Sequence, residues 1–188
     1  MKRFSNFALF FLFLLSACGI SSEHAFYQDG EKMDKSFDYT GTWEAFEEEI
    51  KDGGQKSEYI EINSNENGYE IKVASMSATS DDLEIKFYPF YLDKHCLADV
   101  AVKKLGSNED AKHLIVKLEK VNDKRVNVYE LQFKNDPSKD LASLQYEKMG
   151  LNMLTYHLSS SQKEVSDWLK LKIKKDLKFK KVFYLERR

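Results

Sequence analysis

Tyr59-Ile60-Glu61-Ile62-Asn63-Ser64-Asn65-Glu66-Asn67-Gly68-Tyr69-Glu70-Ile71-Lys72-Val73 is the stretch on which the fold turns. Apolar and charged residues alternate on both sides of a polar hexapeptide. Ile60 and Ile62 share one face with Tyr69, Ile71 and Val73, and Glu61, Glu70 and Lys72 share the other. A period of two places alternate side chains on opposite faces of a strand. Asn67-Gly68 supplies the hairpin signal, since both residues tolerate positive φ. The segment predicts an antiparallel hairpin with one wet face and one buried face.

Outward from that hairpin the same pattern recurs. Strands are expected over 83–91, 98–104, 113–120, 125–134, 141–149 and 152–158, with turns at Val121-Asn122-Asp123-Lys124 and Met149-Gly150-Leu151-Asn152. No helix-period segment separates them, which argues against βαβ units and a parallel sheet. Ser161-Gln162-Lys163-Glu164 has the spacing of a capping box. Val165, Trp168, Leu169, Ile173 and Leu177 follow at helical intervals, so one helix is expected over 162–177; the alternative is a strand, because Leu169, Leu171 and Ile173 also alternate with Lys. A short last strand is expected over 182–186. The fold class is therefore mainly β. It is a single antiparallel β-barrel, or a strongly curved sheet or sandwich, with one C-terminal helix and a final short strand.

At the N-terminus, Lys2 and Arg3 precede nine apolar residues, Phe7 to Leu15, and then the small residues Ser16 and Ala17 before Cys18. This is a signal-peptide pattern. The apolar run falls short of the roughly 20 residues that span a bilayer core of about 30 Å. Leu15-Ser16-Ala17-Cys18-Gly19 resembles the lipobox of bacterial lipoproteins. That resemblance implies cleavage after Ala17, acylation of Cys18 and attachment to a membrane outside the cytoplasm. By the same resemblance Gly19, where a retention signal would carry Asp, favours the outer membrane, on its periplasmic or its surface leaflet. Residues 1–17 are then the signal peptide and 37–188 one β-rich domain. Residues 18–36, which lack either period, read as the lipidated cysteine and a flexible tether with an r.m.s. reach of roughly 20–25 Å.

The mature chain carries 27 basic against 31 acidic residues, unevenly spread: 163–188 holds a net +6 and 18–162 a net −10. With Cys18 committed to lipid, Cys96 is left alone, no intrachain disulfide forms, and a buried thiol is expected. Tyr39-Thr40-Gly41-Thr42-Trp43 resembles the aromatic-x-Gly-x-Trp motif that opens the first strand of lipocalin-like (calycin) barrels. The resemblance implies that Gly41 permits a tight entry, that Trp43 closes one end of a barrel, and that a late basic residue, Arg187 or Arg188, packs on it. Glu44 departs from the aromatic usual after that Trp. Trp43, Phe46 and Ile50, with Gly53-Gly54 beyond, also fit a short amphipathic helix.

Nothing in the sequence assembles a catalyst. His24, His95, His113 and His157 are scattered, and no nucleophile elbow, zinc motif or phosphate-binding glycine loop occurs. His95 and Cys96, as strand neighbours, point to opposite faces and make a poor dyad; with Asp93 they offer at most a metal site beside a buried thiol. The acidic group Glu44, Glu47, Glu48 and Glu49 lacks the spacing of a calcium loop. The expectation is a non-enzyme without cofactor, metal or nucleic-acid partner.

Two surfaces are candidates for binding. Phe87-Tyr88-Pro89-Phe90-Tyr91 groups four aromatics around a proline that marks a bulge or an edge; the patch is either a contact surface or core beneath the late helix. Lys170, Lys174, Lys178 and Lys181, within a longer lysine run, would lie against anionic headgroups or form an ordinary solvated face. Two functions follow: an envelope interaction module that docks a protein partner, or a lipocalin-like carrier or sensor of a small hydrophobic ligand.

Overall fold

The computed structural model describes residues 20–27, 33–47, 57–73, 83–133, 137–149, 155–173 and 178–188. Residues 1–17, where the signal peptide is expected, and Cys18, Gly19, Glu48, Glu49, Ile50, Gly53-Gly54, Lys174, Leu177 and the expected turn residues 150–152 lie outside them.

Eight antiparallel strands close into a barrel. They are β2 (Gly41–Glu47), β3 (Ser57–Asn65), β4 (Gly68–Val73), β5 (Leu83–Leu92), β6 (His95–Lys104), β7 (Lys112–Asn122), β8 (Arg125–Gln132) and β11 (Lys178–Arg187). Each strand pairs with the next in sequence through β8, and β11 then fits between β8 and β2. Its register, Trp43 with Arg187 and Ala45 with Leu185, closes the ring. The open sheet and the sandwich are thereby excluded. The segment around Trp43 is strand, and the short helix there does not form over the described residues.

Alternation along these strands makes two cores. Trp43, Ile60, Ile62, Phe87, Ala98, Val116, Leu118, Val126 and Val128 fill the barrel at one end, with Ile85 and Val102 further along. Ile60, Ile71, Ile85, Val116 and Leu118 belong to these clusters or pack against them, and the register puts Leu114 on the same face as Val116 and Leu118. A second core lies on the outer wall, where Phe90, Leu97, Ile115 and Leu131 meet Val165, Trp168, Leu169 and Ile173 of helix α2 (Gln162–Ile173). The capping box is made as expected. The Ser161 N–H donates to Glu164 Oε2 at 2.9 Å and the Glu164 N–H to Ser161 Oγ at 3.5 Å.

The strand expected over 141–149 is only partly one. Pro137–Asp140 forms a single helical turn, α1, with proline at its first position, where the missing N–H costs nothing. Leu141 and Leu144, three residues apart, then pack into the outer core instead of alternating. Only Tyr146–Met149 is strand (β9), pairing with β10 (Thr155–Leu158).

The larger departure is at the N-terminus. Ile20–Ser22 is a strand, β1, hydrogen-bonded between β7 and β10. Residues 22–27 and 33–36 then dock along the outer wall, together called the strap. The Phe26 N–H donates to Asp99 Oδ2 on β6 at 2.9 Å, and Met33 bridges to Phe90 on β5. Over its described residues the expected tether is thus built into the domain. Its apolar residues Ile20, Phe26 and Met33 dock on successive strands, and a spacing of six or seven residues has neither a helical nor a strand period.

Candidate functional site

Strand β4 pairs with β5 only from Tyr69–Phe87 to Ile71–Ile85. Past Phe87 that edge of β5 is taken by the strap, the Asp34 N–H donating to the Pro89 carbonyl at 2.7 Å. Pro89, which has no N–H to give, therefore stands where the ladder changes partners, an edge position as its chemistry requires. The geometry opens a recess of about 440 Å³ between the strap, the β3–β4 turn and β5, lined by Tyr27, Met33, Lys35, Glu66, Asn67, Tyr88 and Pro89. A shallower recess of about 280 Å³ adjoins it, sharing Glu66, Asn67 and Tyr88 and adding Asn65 and Lys86.

Tyr88 is the fixed point of this site. Its ring stacks on Tyr27 with centroids 5.6 Å apart and planes 19° from parallel. Beneath it is Gly68, where a Cβ would stand 2.6 Å from Tyr88 Cδ1 and 2.8 Å from the Phe87 carbonyl oxygen. The turn residues are Glu66 and Asn67, since Asn65 pairs with Gly68. Glycine at 68 is thus needed for space and not for a left-handed turn. Gly68→Ala is expected to displace the Tyr88 ring and cost about 1–3 kcal/mol in a thermal melt, the range for overpacking. Burial pushes the Tyr88 hydroxyl above the usual tyrosine pKa, so it stays a neutral hydrogen-bonding group.

The four aromatics of the expected patch are separated. Phe87 points into the barrel, stacked on Tyr69 at 4.9 Å. Phe90 points out of it but is only 1% exposed, beneath the strap and within the outer core. Tyr88 lines the recess, and Tyr91 is 55% exposed. The patch reading is therefore corrected: strand alternation sends neighbours to opposite faces, and the strap covers the outer one. Tyr27, Met33, Lys35 and Glu66 were not singled out from sequence, and Asn67 was read only as part of a turn. The signal available was a cluster of large apolar residues inside an otherwise tether-like segment.

The basic candidates do not converge either. Lys170 is half-buried on α2, while Lys178 and Lys181 pair with Gln132 and Tyr129 on β8 and stand on alternate faces of β11. The Lys181 ammonium sits 5.4 Å from the Tyr184 ring.

At one end of the barrel Gly41 opens β2 at φ +118°, a backbone that L side chains rarely adopt. Trp43 is 0% exposed, and its Nε1–H donates to the Tyr39 carbonyl at 2.8 Å. The Arg187 guanidinium lies 4.7 Å from the Trp43 ring and donates to the Asp38 carbonyl. Arg188 pairs instead with the buried Glu44. The basic residue expected on Trp43 is thus Arg187.

Cys96 lies beside this end, half-buried, its thiol 3.5 Å from Asp34 Oδ2 and 3.8 Å from the Tyr39 hydroxyl. His95 is on the other face, its ring 5.7 Å from Phe179, so the two form no dyad. Burial, reinforced by the Asp34 carboxylate, pushes the Cys96 thiol up to about 12. A folded-state pKa above the ordinary value of about 8.5 stabilises the fold at all pH below that value. The contribution is lost as pH climbs from there towards 12. The melting temperature is therefore expected to fall more steeply above pH 9 in the wild type than in Cys96→Ala. Alkylation of the folded protein at pH 8 is expected to be about a thousandfold slower than that of the unfolded chain, following the thiolate fraction.

A buried carboxylate secures the strap. Asp99, 0% exposed, receives the Phe26 N–H and lies 2.9 Å from His113 Nδ1. Among the described residues no three His, Cys, Asp or Glu side chains are placed to hold a metal ion, and no helix is long and apolar enough to cross a membrane. Compared with known protein families, with curated proteins and with solved structures, the chain matches none.

Proposed function

We propose that the chain is a bacterial envelope lipoprotein, acylated at Cys18 and anchored in the outer membrane, that acts without catalysis by docking a protein partner. The observation that carries this reading is the open recess beside Tyr88. It is lined by two tyrosines, a methionine and a proline together with Lys35, Glu66 and Asn67, a mixture of aromatic, apolar and polar groups that suits a protein contact. Tyr88 is already held by Gly68 and Tyr27, so little side-chain freedom is left to lose on binding. The lipobox resemblance supports an envelope location, where an anchored domain would meet its partners at a surface.

One observation favours a second reading, a carrier of a small hydrophobic ligand: the barrel is closed and is plugged at one end by Trp43 beneath Arg187. Native mass spectrometry of residues 19–188 separates the two. A docking module shows the bare chain mass. An extra mass that extracts into organic solvent identifies a carrier and overturns the docking reading.

A further inference from the structure

We infer that the acylated N-terminus holds this barrel flush against the bilayer, with the lipid surface meeting the end of the β1–β10–β9 sheet. The inference rests on the acylation of Cys18 proposed above and concerns what that anchor does. Cys18 is two residues before Ile20, so no more than about 7 Å of extended chain separates their Cα atoms. Ile20 is not free to move away from the domain. It is buried and pairs with Tyr156, while Ser21 pairs with Leu114 and His157, and Ser22 with His113 and Leu158.

Further contacts hold the same segment down. Ser21 Oγ lies 3.0 Å from His157 Nδ1, the Glu23 N–H donates to the Leu158 carbonyl at 3.0 Å, and the Phe26 N–H to Asp99. Letting the acylated residue swing away would break the β1 ladder and uncover both Ile20 and Phe26. The spacing between bilayer and domain is therefore set by two residues, not by eighteen.

The strand directions say which end is apposed. Strand β10 runs parallel to β1, and β9 antiparallel to β10 with Met149 opposite Thr155. The start of β1, the start of β10 and the end of β9 thus lie together. Next to that end is the exposed Lys148, its ammonium 5.9 Å from the Tyr156 ring, a cation suited to phosphate headgroups. Strand β1 runs from Leu114 towards His113, so the β6–β7 connection at 105–111 lies at its other end, away from Cys18.

The test uses the full acylated protein in vesicles of phosphatidylethanolamine and phosphatidylglycerol containing a headgroup spin-labelled lipid. Fluorophores are placed singly by Lys148→Cys and by Asn108→Cys, both exposed positions. The probe at 148 is expected to be quenched several-fold more than the probe at 108. A ten-residue Gly/Ser insertion between Gly19 and Ile20 is expected to bring the two to the same low level. Equal quenching at 148 and 108, or quenching at 148 that survives the insertion, overturns the inference. The intact mass of the purified protein is taken first. An unacylated Cys18 overturns the lipoprotein reading itself, whereas an acylated chain with equal quenching overturns only the close apposition.

Discussion

Phe90→Asp is expected to leave the domain unfolded. The ring is 1% exposed, tilted against Tyr27 at 6.1 Å and bridged at its backbone by Met33. Losing a buried phenylalanine alone costs about 3–5 kcal/mol. A carboxylate in its place, among the apolar side chains of the outer core, adds several kcal/mol more. Together these match or exceed the roughly 5–15 kcal/mol by which a domain of this size is stable. Circular dichroism at 25 °C reads the result, with Tyr91→Asp as the control. Tyr91 is 55% exposed, so its replacement is expected to be neutral within about 0.5 kcal/mol. A folded Phe90→Asp variant would mean that the strap does not cover this wall.

Trp43→Ala has the second largest expected effect. The indole is wholly buried, touches Phe37 at a centroid distance of 6.1 Å and carries the Arg187 guanidinium. Truncation is expected to cost about 3–5 kcal/mol. At about 2–4 °C per kcal/mol for a domain of this size, the melting temperature falls by roughly 10 °C or more. Arg187 loses its platform as well. Its Nε has no hydrogen-bond partner, so the ring is a large part of what holds it. Arg187→Ala alone is expected to cost about 1–2 kcal/mol, as for a partly desolvated cation–π contact. The double variant is expected to cost less than the sum of the singles, because each removes the same contact. Strict additivity would show that the guanidinium and indole are not coupled.

How much of this was legible depends on the kind of information each feature carries. Alternation is a local property, so Tyr59 to Val73 could be read as two strands with faces assigned, and 83–91 and 125–134 as strands. The capping box at Ser161 and Glu164 is local too. Closure is not. The pairing of β11 between β8 and β2 leaves no mark in the periodicity of any of the three, so barrel and sandwich read alike. The strap was hidden for a related reason. Residues that each dock on a different strand obey the width of the barrel wall and not the pitch of a chain. Alternation from Phe87 turns Tyr88 and Phe90 to the outer face, but what covers that face lies some sixty residues earlier. The recess inherits this difficulty. It is assembled from a strap, a turn and a strand edge; of its lining only Tyr88 was a candidate contact in advance, with Pro89 read as an edge marker and Asn67 as a turn residue. Gly68 was noticed for its backbone freedom, when what matters there is the absence of a side chain under a ring.

The docking claim is tested most directly by photocrosslinking in the living cell, with a benzoyl-phenylalanine probe at Lys35 in the recess and another at Glu61 on the far side of β3. The account predicts one discrete protein adduct from position 35, none from 61, and loss of the adduct in Tyr88→Ala while the protein remains folded and membrane-bound. Adducts of equal yield from both positions, or an adduct from 35 that Tyr88→Ala leaves unchanged, would contradict it.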